Sequence, residues 1–256
     1  MKGMSPETEP IGEAARPAPS AILDRQTLAE QLLLLEDYLR YGCRSGRTIP
    51  PLDEEPMSVE QALAELEAQV HSCTSCPLSQ SRNRTVFGQG VANPLVLVIG
   101  EGPGAEEDRQ GLPFVGASGQ LLDKMLAAIG LSRESNCYIA NIVKCRPPNN
   151  REPSPAERSA CIGYLRRQIE LLRPRFILCV GRTAAHGLLD LTDPISRIRG
   201  RTYQFEGIPV VVTFHPSALL RDASLKRPAW EDLKRFRALI DQAHFSREPD
   251  SGDLDD

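Results

Sequence analysis

Residues 95–104 read Leu95-Val-Leu-Val-Ile-Gly-Glu-Gly-Pro-Gly104. Leu95–Ile99 is a short all-apolar run, which predicts a buried strand. It runs directly into two glycines around a proline, a tight turn with exposed backbone amides. That turn holds one acid, Glu101, at the strand tip.

The same alternation of strand and helix continues outward. A helix is expected from Ser118 or Gly119 through Ile129, then a strand over Tyr138–Val143. Ser154-Pro-Ala-Glu157 combines an N-cap, Pro at the first helical position and an acid at the third, so a helix starts there and ends near Pro174. Phe176–Val180 predicts a third strand and Arg182–Leu189 a helix. Thr202–Phe205 and Pro209–Phe214 flank Glu206-Gly207, a hairpin signal, and a last helix covers about Ala229–Phe245. Repeated βα units of this size predict an α/β domain, a mainly parallel sheet with helices on both faces. Sites in such folds lie beyond the carboxyl ends of the strands.

Three strand ends carry unusual residues. Glu101 follows the first strand, and Gly111-Leu-Pro-Phe-Val-Gly116 with Ala117-Ser-Gly-Gln120 makes a glycine-rich helix entry. Free N–H groups there could hold a phosphate. The segment lacks the Lys-Ser/Thr of a P-loop and the G-x-G-x-x-G spacing, which argues against nucleotide cofactors. Asn141 lies in the second strand, where an amide competes with the ladder, so it is either a buried hydrogen-bonding reader or an edge residue. Thr213-Phe-His-Pro-Ser-Ala-Leu-Leu-Arg221 places His215 in a rigid turn at another tip. His71, His186 and His244 have no such context.

Four of the seven cysteines are spaced like ligands. Cys73 and Cys76 form a C-x-x-C, Cys145 follows the second strand, and Cys161 lies in a helix. Two thiolates three residues apart can converge on one soft metal centre. Four suit zinc or a [4Fe–4S] centre, and spacing does not choose between them. Cys43, Cys137 and Cys179 read as unligated, Cys179 as a buried strand thiol.

The chain has 256 residues, 41% hydrophobic, with no apolar run near the roughly 20 residues that a membrane span needs. The start lacks the apolar region of a signal peptide. An odd number of cysteines then argues for a reducing cytoplasm over a disulfide framework. The net charge of −4 is uneven: residues 1–60 carry −5, 248–256 carry −5, and the middle carries +6. A polyanion-binding core fits, although basic loop residues such as Arg82, Arg84, Lys144, Arg146, Arg151, Arg197, Arg199, Arg201 and Arg221 are usually just solvated. Residues 1–60 read as an extension, disordered over 1–20, with an amphipathic helix at Asp24–Tyr41 and a linker Pro50-Pro-Leu-Asp-Glu-Glu-Pro56. The domain proper spans 61–247, its first helix opened by a Ser58/Gln61 capping box. An acidic disordered tail covers 248–256.

Six blocks together resemble family 4 uracil-DNA glycosylases, the iron–sulfur branch of the uracil glycosylase superfamily. They are Cys73-Thr-Ser-Cys76, Gly100-Glu-Gly-Pro-Gly-Ala-Glu-Glu-Asp108, Pro113-Phe-Val-Gly116, Asn141-Ile-Val-Lys-Cys-Arg-Pro-Pro148, Cys161 and His215-Pro-Ser-Ala-Leu-Leu-Arg221. The resemblance covers about residues 65–245. It implies a three-layer α/β/α fold with a central mainly parallel sheet, and a [4Fe–4S] cluster on Cys73, Cys76, Cys145 and Cys161. It implies a cytoplasmic, monomeric enzyme that excises uracil from double- or single-stranded DNA in base excision repair. A uracil-crosslinking branch carries an Arg- and His-bearing insertion after the second strand. Here that place holds Pro147-Pro-Asn-Asn-Arg-Glu-Pro153, so hydrolysis is expected.

The resemblance also assigns roles. Phe114 is the platform for the flipped base, Asn141 reads its edge, and Glu107 crowds the C5 edge to exclude thymine. His215 stabilises the uracil oxygen, while Glu101 and the Gly102 backbone position the water. Leu219 or Leu220 wedges into the gap left by the base, and Ser118, Ser217 and Arg221 meet phosphates. The rival readings are a non-catalytic DNA-binding module of the same fold and a zinc-dependent nucleoside hydrolase.

Overall fold

The computed structural model describes residues 57–245. The expected leucine helix, the Pro-rich linker, the acidic tail and Cys43 lie outside them. Ser58 caps α1 (Val59–Ser72) as its sequence predicts: Ser58 Oγ accepts from the Gln61 N–H, and the Gln61 side chain accepts from the Ser58 N–H.

The remaining elements alternate. They are β1 (Gln89–Gly90), β2 (Val96–Gly100), α2 (Ala105–Gln110), α3 (Ala117–Ala127), β3 (Cys137–Asn141), α4 (Pro155–Leu172), β4 (Phe176–Val180) and α5 (Arg182–Leu189). After these come α6 (Ile195–Ile198), β5 (Thr202–Phe205), β6 (Ile208–Thr213), α7 (Pro216–Arg221) and α8 (Lys226–Phe245). The sheet order is β1-β3-β2-β4-β6-β5. The inner four strands run parallel, and β1 and β5 close the edges antiparallel.

Period-two alternation sorts each strand's side chains onto two cores. Leu97, Ile99, Ile177, Cys179, Val210 and Val212 pack against α1, α4 and α5. Val96, Val98, Phe176, Leu178, Val180 and Val211 pack against α3 and α8. The result is the expected three-layer α/β/α arrangement. Its register sets the strand tips level: Gly100 pairs with Asn141, and Val180 with Thr213.

Some boundaries move. The second predicted strand stops at Asn141, yet the Ile142 and Val143 N–H groups still bond to the carbonyls of Gly100 and Glu101 at 3.0 and 3.2 Å. The chain therefore leaves the strand while tethered to the tip of β2. The last helix begins at Lys226 because Pro228 sits in its first turn, where a missing N–H costs nothing. The predicted hairpin is present, with Glu206 at φ 50° and Gly207 at φ 82°, the two left-handed residues of a tight strand turn.

Candidate active site

The carboxyl tips of β2, β3, β4 and β6 open on one cleft of about 460 Å3. Glu101, Gly102, Glu107, Phe114, Ser118, Asn141, His215, Ser217 and Arg221 all line it. The fold thus gathers nearly every candidate that the sequence offered for this site.

Asn141 is 1% exposed, and its Oδ1 is the single buried side-chain polar atom without a hydrogen-bond partner among the described residues. Such a vacancy costs stability unless something fills it. Asn141 is therefore buried on an interior strand and is not an edge residue. Gly100 keeps the space beside it open: a Cβ there would come within 2.4 Å of Asn141 Oδ1 and 2.6 Å of the Phe114 ring.

Phe114 is held in an uncommon conformation, φ 54°, which a non-glycine residue keeps only when its surroundings impose it. Glu107 supplies part of that frame. Its Oε1 accepts from the Val115 and Gly116 N–H groups at 2.9 and 3.0 Å, and its Oε2 from Gly104 N–H at 3.1 Å. Arg133 donates to the carbonyls of Pro113 and Phe114 at 2.9 and 3.0 Å. Gly119 lets α3 pass closely, since a Cβ there would lie 1.8 Å from Phe114 O. The Glu107 carboxylate is thus engaged in bracing two loops, a duty that its expected role at the C5 edge did not include.

His215 is the N-cap of α7. Its Nδ1 accepts from the Ser217 N–H at 3.1 Å and lies 2.7 Å from Ser217 Oγ. In the neutral ring the proton therefore sits on Nε2. Burial pushes the imidazole down to about 4, with Arg221 adding to the shift and Glu107 opposing it. At neutral pH the ring is an uncharged donor, its plane 33° from that of Phe114 at a centroid distance of 5.7 Å.

Burial raises the Glu101 carboxyl above its usual range, and a hydrogen bond from Thr183 opposes that. Thr183 Oγ1 donates to Glu101 Oε2 at 2.6 Å. Thr183 itself is 3% exposed and also lines the cleft.

The wedge candidates separate cleanly. Leu219 is 3% exposed and belongs to the core under α7, so it cannot insert into DNA; Leu220 is 51% exposed. The expectation of solvated basic loops holds for the exposed Arg84, Arg197, Arg201 and Arg221 but needs correction for three others. Lys144 is 1% exposed, with Nζ donating to Asn141 O at 3.0 Å and Gln168 Oε1 at 2.6 Å. Arg199 clasps the fully buried Asp232, which also accepts from Thr213 Oγ1. Arg151 pairs with Glu157 through both guanidinium nitrogens at 2.7 and 2.8 Å. These cations satisfy buried acceptors of the protein itself.

Cys73, Cys76, Cys145 and Cys161 line one small cavity beside α4. Donors already face the sulfurs: Arg82 reaches Cys145 Sγ at 3.1 Å, and the Lys144 N–H reaches Cys161 Sγ at 3.3 Å. The Lys144 ammonium has only neutral hydrogen-bond partners, an expensive state for a buried cation unless an anionic group stands nearby. Thiolates gathered on a cluster would be that group, so the residues present fit one. Among the described residues no three His, Cys, Asp or Glu side chains are grouped as a single metal ion would require.

The model of the Uracil DNA glycosylase superfamily matches residues 87–234. A type-4 uracil-DNA glycosylase of Archaeoglobus fulgidus is 41% identical over 187 residues, 70% of this chain and 94% of that one. This chain belongs to the type-4 uracil-DNA glycosylases. The type-4 enzyme of Thermotoga maritima is 42% identical over 71% of this chain and 96% of its own. A solved SMUG2 structure from Pedobacter heparinus aligns with 81% of this chain and 97% of that one, at 17% identity and a TM-score of 0.41.

Several residues of this type-4 glycosylase gave no signal in the sequence. Thr183 and Gly181 come from the tip of β4, from which the sequence suggested no site residue. Asp108, 0% exposed, accepts from the Asn83 and Arg84 N–H groups and anchors α2 under the cleft. Its place directly after Glu106-Glu107 reads as one more surface acid. Only its burial sets it apart.

Proposed function

We propose that this chain flips deoxyuridine out of DNA and hydrolyses its N-glycosidic bond, leaving an abasic site for base excision repair. The unpartnered Asn141 Oδ1 carries this reading, because uracil N3–H is the donor it lacks. With Oδ1 taking N3–H, the amide nitrogen meets O4, and the ring lies against Phe114.

Breaking the bond leaves negative charge on the pyrimidine and positive charge on the sugar. The His215 Nε2–H stabilises the oxygen where that charge gathers, from a ring that is neutral at working pH. Glu101 and the Gly102 backbone hold a water at the sugar carbon. For so dissociative a reaction, placement matters more than strong deprotonation. Glu107 adds bulk on the C5 side while bracing the loops. Extrusion of the base leaves a gap for Leu220, and Ser118, Ser217 and Arg221 meet phosphates.

Cys73, Cys76, Cys145 and Cys161 would hold a [4Fe–4S] cluster, which supplies a covalent tie between the Cys73 segment, the end of β3 and α4. Its ligands stand outside the reading and cleavage residues, so the tie is structural. Cys161→Ala is expected to lower iron content and melting temperature together. An iron-free variant of unchanged stability would overturn this role. The brown absorbance near roughly 400 nm distinguishes the cluster from zinc.

The direct test uses the wild-type protein on oligonucleotides containing uracil, thymine or hypoxanthine, followed by alkaline strand scission. Uracil is expected to be released and thymine left in place. Tight DNA binding without any scission would support a binding module instead, and release of uracil from the free nucleoside alone would support a nucleoside hydrolase.

A further inference from the structure

We infer that Thr183 is a positioning residue: it fixes the Glu101 carboxylate in the orientation that holds the attacking water. The inference rests on the proposed role of Glu101 and extends it to the tip of β4.

Thr183 is the second residue of α5, so no preceding helical turn offers its hydroxyl a carbonyl. The hydroxyl instead spans 82 residues of sequence to bond Glu101 Oε2 at 2.6 Å. This is a short, charge-assisted O–H···O contact. It is the single hydrogen bond to that carboxylate among the described residues, and it leaves Oε1 without a protein partner. One oxygen is therefore clamped and the other is available to the water.

The backbone is shaped to deliver this hydroxyl. Gly181 leaves β4 at φ 101°, a conformation that disfavours any side chain, while its N–H bonds to Thr213 O at 2.9 Å. A Cβ at Gly181 would come within 3.0 Å of the His215 Cβ. The Gly181-Arg-Thr183 turn thus passes beside His215 and ends on Glu101, so one turn positions the residues of both neighbouring tips.

The contact also favours the charged carboxylate. Burial and the acid Glu152 act against ionisation of Glu101; the Thr183 hydroxyl, Arg182 and Arg158 act for it. Activity needs the carboxylate and is lost as pH falls through its pKa. Removing the hydroxyl raises that pKa, so the acid limb of the rate profile moves to higher pH.

The test compares wild type, Thr183→Val, Thr183→Ser and Glu101→Gln, and the double variant Thr183→Val/Glu101→Gln, in single-turnover excision across pH. Thr183→Val keeps the side-chain shape and is expected to slow excision about tenfold or more at neutral pH, the effect of one hydrogen bond to a charged group. Its acid limb is expected to shift to higher pH. Thr183→Ser is expected to restore both. Affinity for an oligonucleotide with a non-hydrolysable 2′-fluoro-deoxyuridine stays at the wild-type value. In the Glu101→Gln background the valine change adds nothing. Wild-type rate and limb for Thr183→Val overturn the inference, as does a slow variant with an unmoved limb that serine does not rescue. If Glu101→Gln itself excises uracil at the wild-type rate, the reading of Glu101 fails instead.

Discussion

Asn141→Asp is expected to lose at least about 30-fold in uracil excision at neutral pH, since two buried groups become mispaired at about 1–3 kcal/mol each. Uracil presents O4, an acceptor, beside N3–H, a donor. The native amide answers both, and its buried Oδ1 has no partner within the protein. A carboxylate answers N3–H but repels O4. Its own charge is also costly, because Asn141 is 1% exposed and Glu101 and Glu107 share the cleft. Burial and these acids raise the pKa of the new carboxyl. Below that pKa the protonated acid has one donor and one acceptor again. The deficit relative to wild type at the same pH therefore shrinks as pH falls. The neutral acid can also turn its O–H to cytosine N3 and accept from the cytosine amino group, so faint cytosine release is expected on the acid side only. Rates on uracil and cytosine oligonucleotides from pH 5 to 8 check this. Uracil release at the wild-type rate by Asn141→Asp or Asn141→Ala at neutral pH would assign base reading to another residue.

His215→Ala is expected to cut the single-turnover rate by about 100-fold, the worth of one preorganised donor at a developing oxyanion, ~3 kcal/mol. Binding of the non-hydrolysable duplex should change little, because the donor acts where charge appears and the ground state needs it less. The pH profile separates this neutral donor from an imidazolium. Held down to about 4 by burial, the ring stays uncharged through the neutral range and its titration leaves no limb near pH 6.5. Ser217 reinforces that state: its N–H already points at Nδ1, so a proton there would face a donor. A wild-type limb near pH 6.5 that disappears in His215→Ala would show that the charged ring is the active form. Equal losses in rate and affinity would show that His215 is a contact residue.

The sheet was legible because Leu95–Ile99 and Phe176–Val180 are unbroken apolar runs ended by Gly, and β3 and β6 are mostly apolar. Phe176–Val180 and Arg182–Leu189 fall where their sequences place them. The short elements β1, α6 and α7 were not visible. Two to six residues cannot show a period, and their form is set by what they pack against. Site residues were legible where chemistry is unusual for its place, as with an amide in a strand or a histidine before Pro-Ser. Thr183 is an ordinary residue in an ordinary helix start, and only the 2.6 Å contact across the sheet distinguishes it. Choosing between Leu219 and Leu220 needed the rotation of a six-residue helix, which depends on tertiary packing. Lys144 reads as a loop cation because no local pattern announces its partners, Gln168 on α4 and a carbonyl three residues back.

The frame around Phe114 bears on time as well as on shape. A nucleotide that swings out of the duplex stays out only briefly before stacking draws it back. An enzyme that had to order a loop around each visitor would let most of them return. Here Glu107, Arg133 and the close approach at Gly119 frame the left-handed backbone of Phe114 through the protein's own contacts. The conformational cost is met when the chain folds, not at each encounter. In the proposed role of Phe114 as platform, an extruded base would then meet a surface whose shape the protein's own contacts already set.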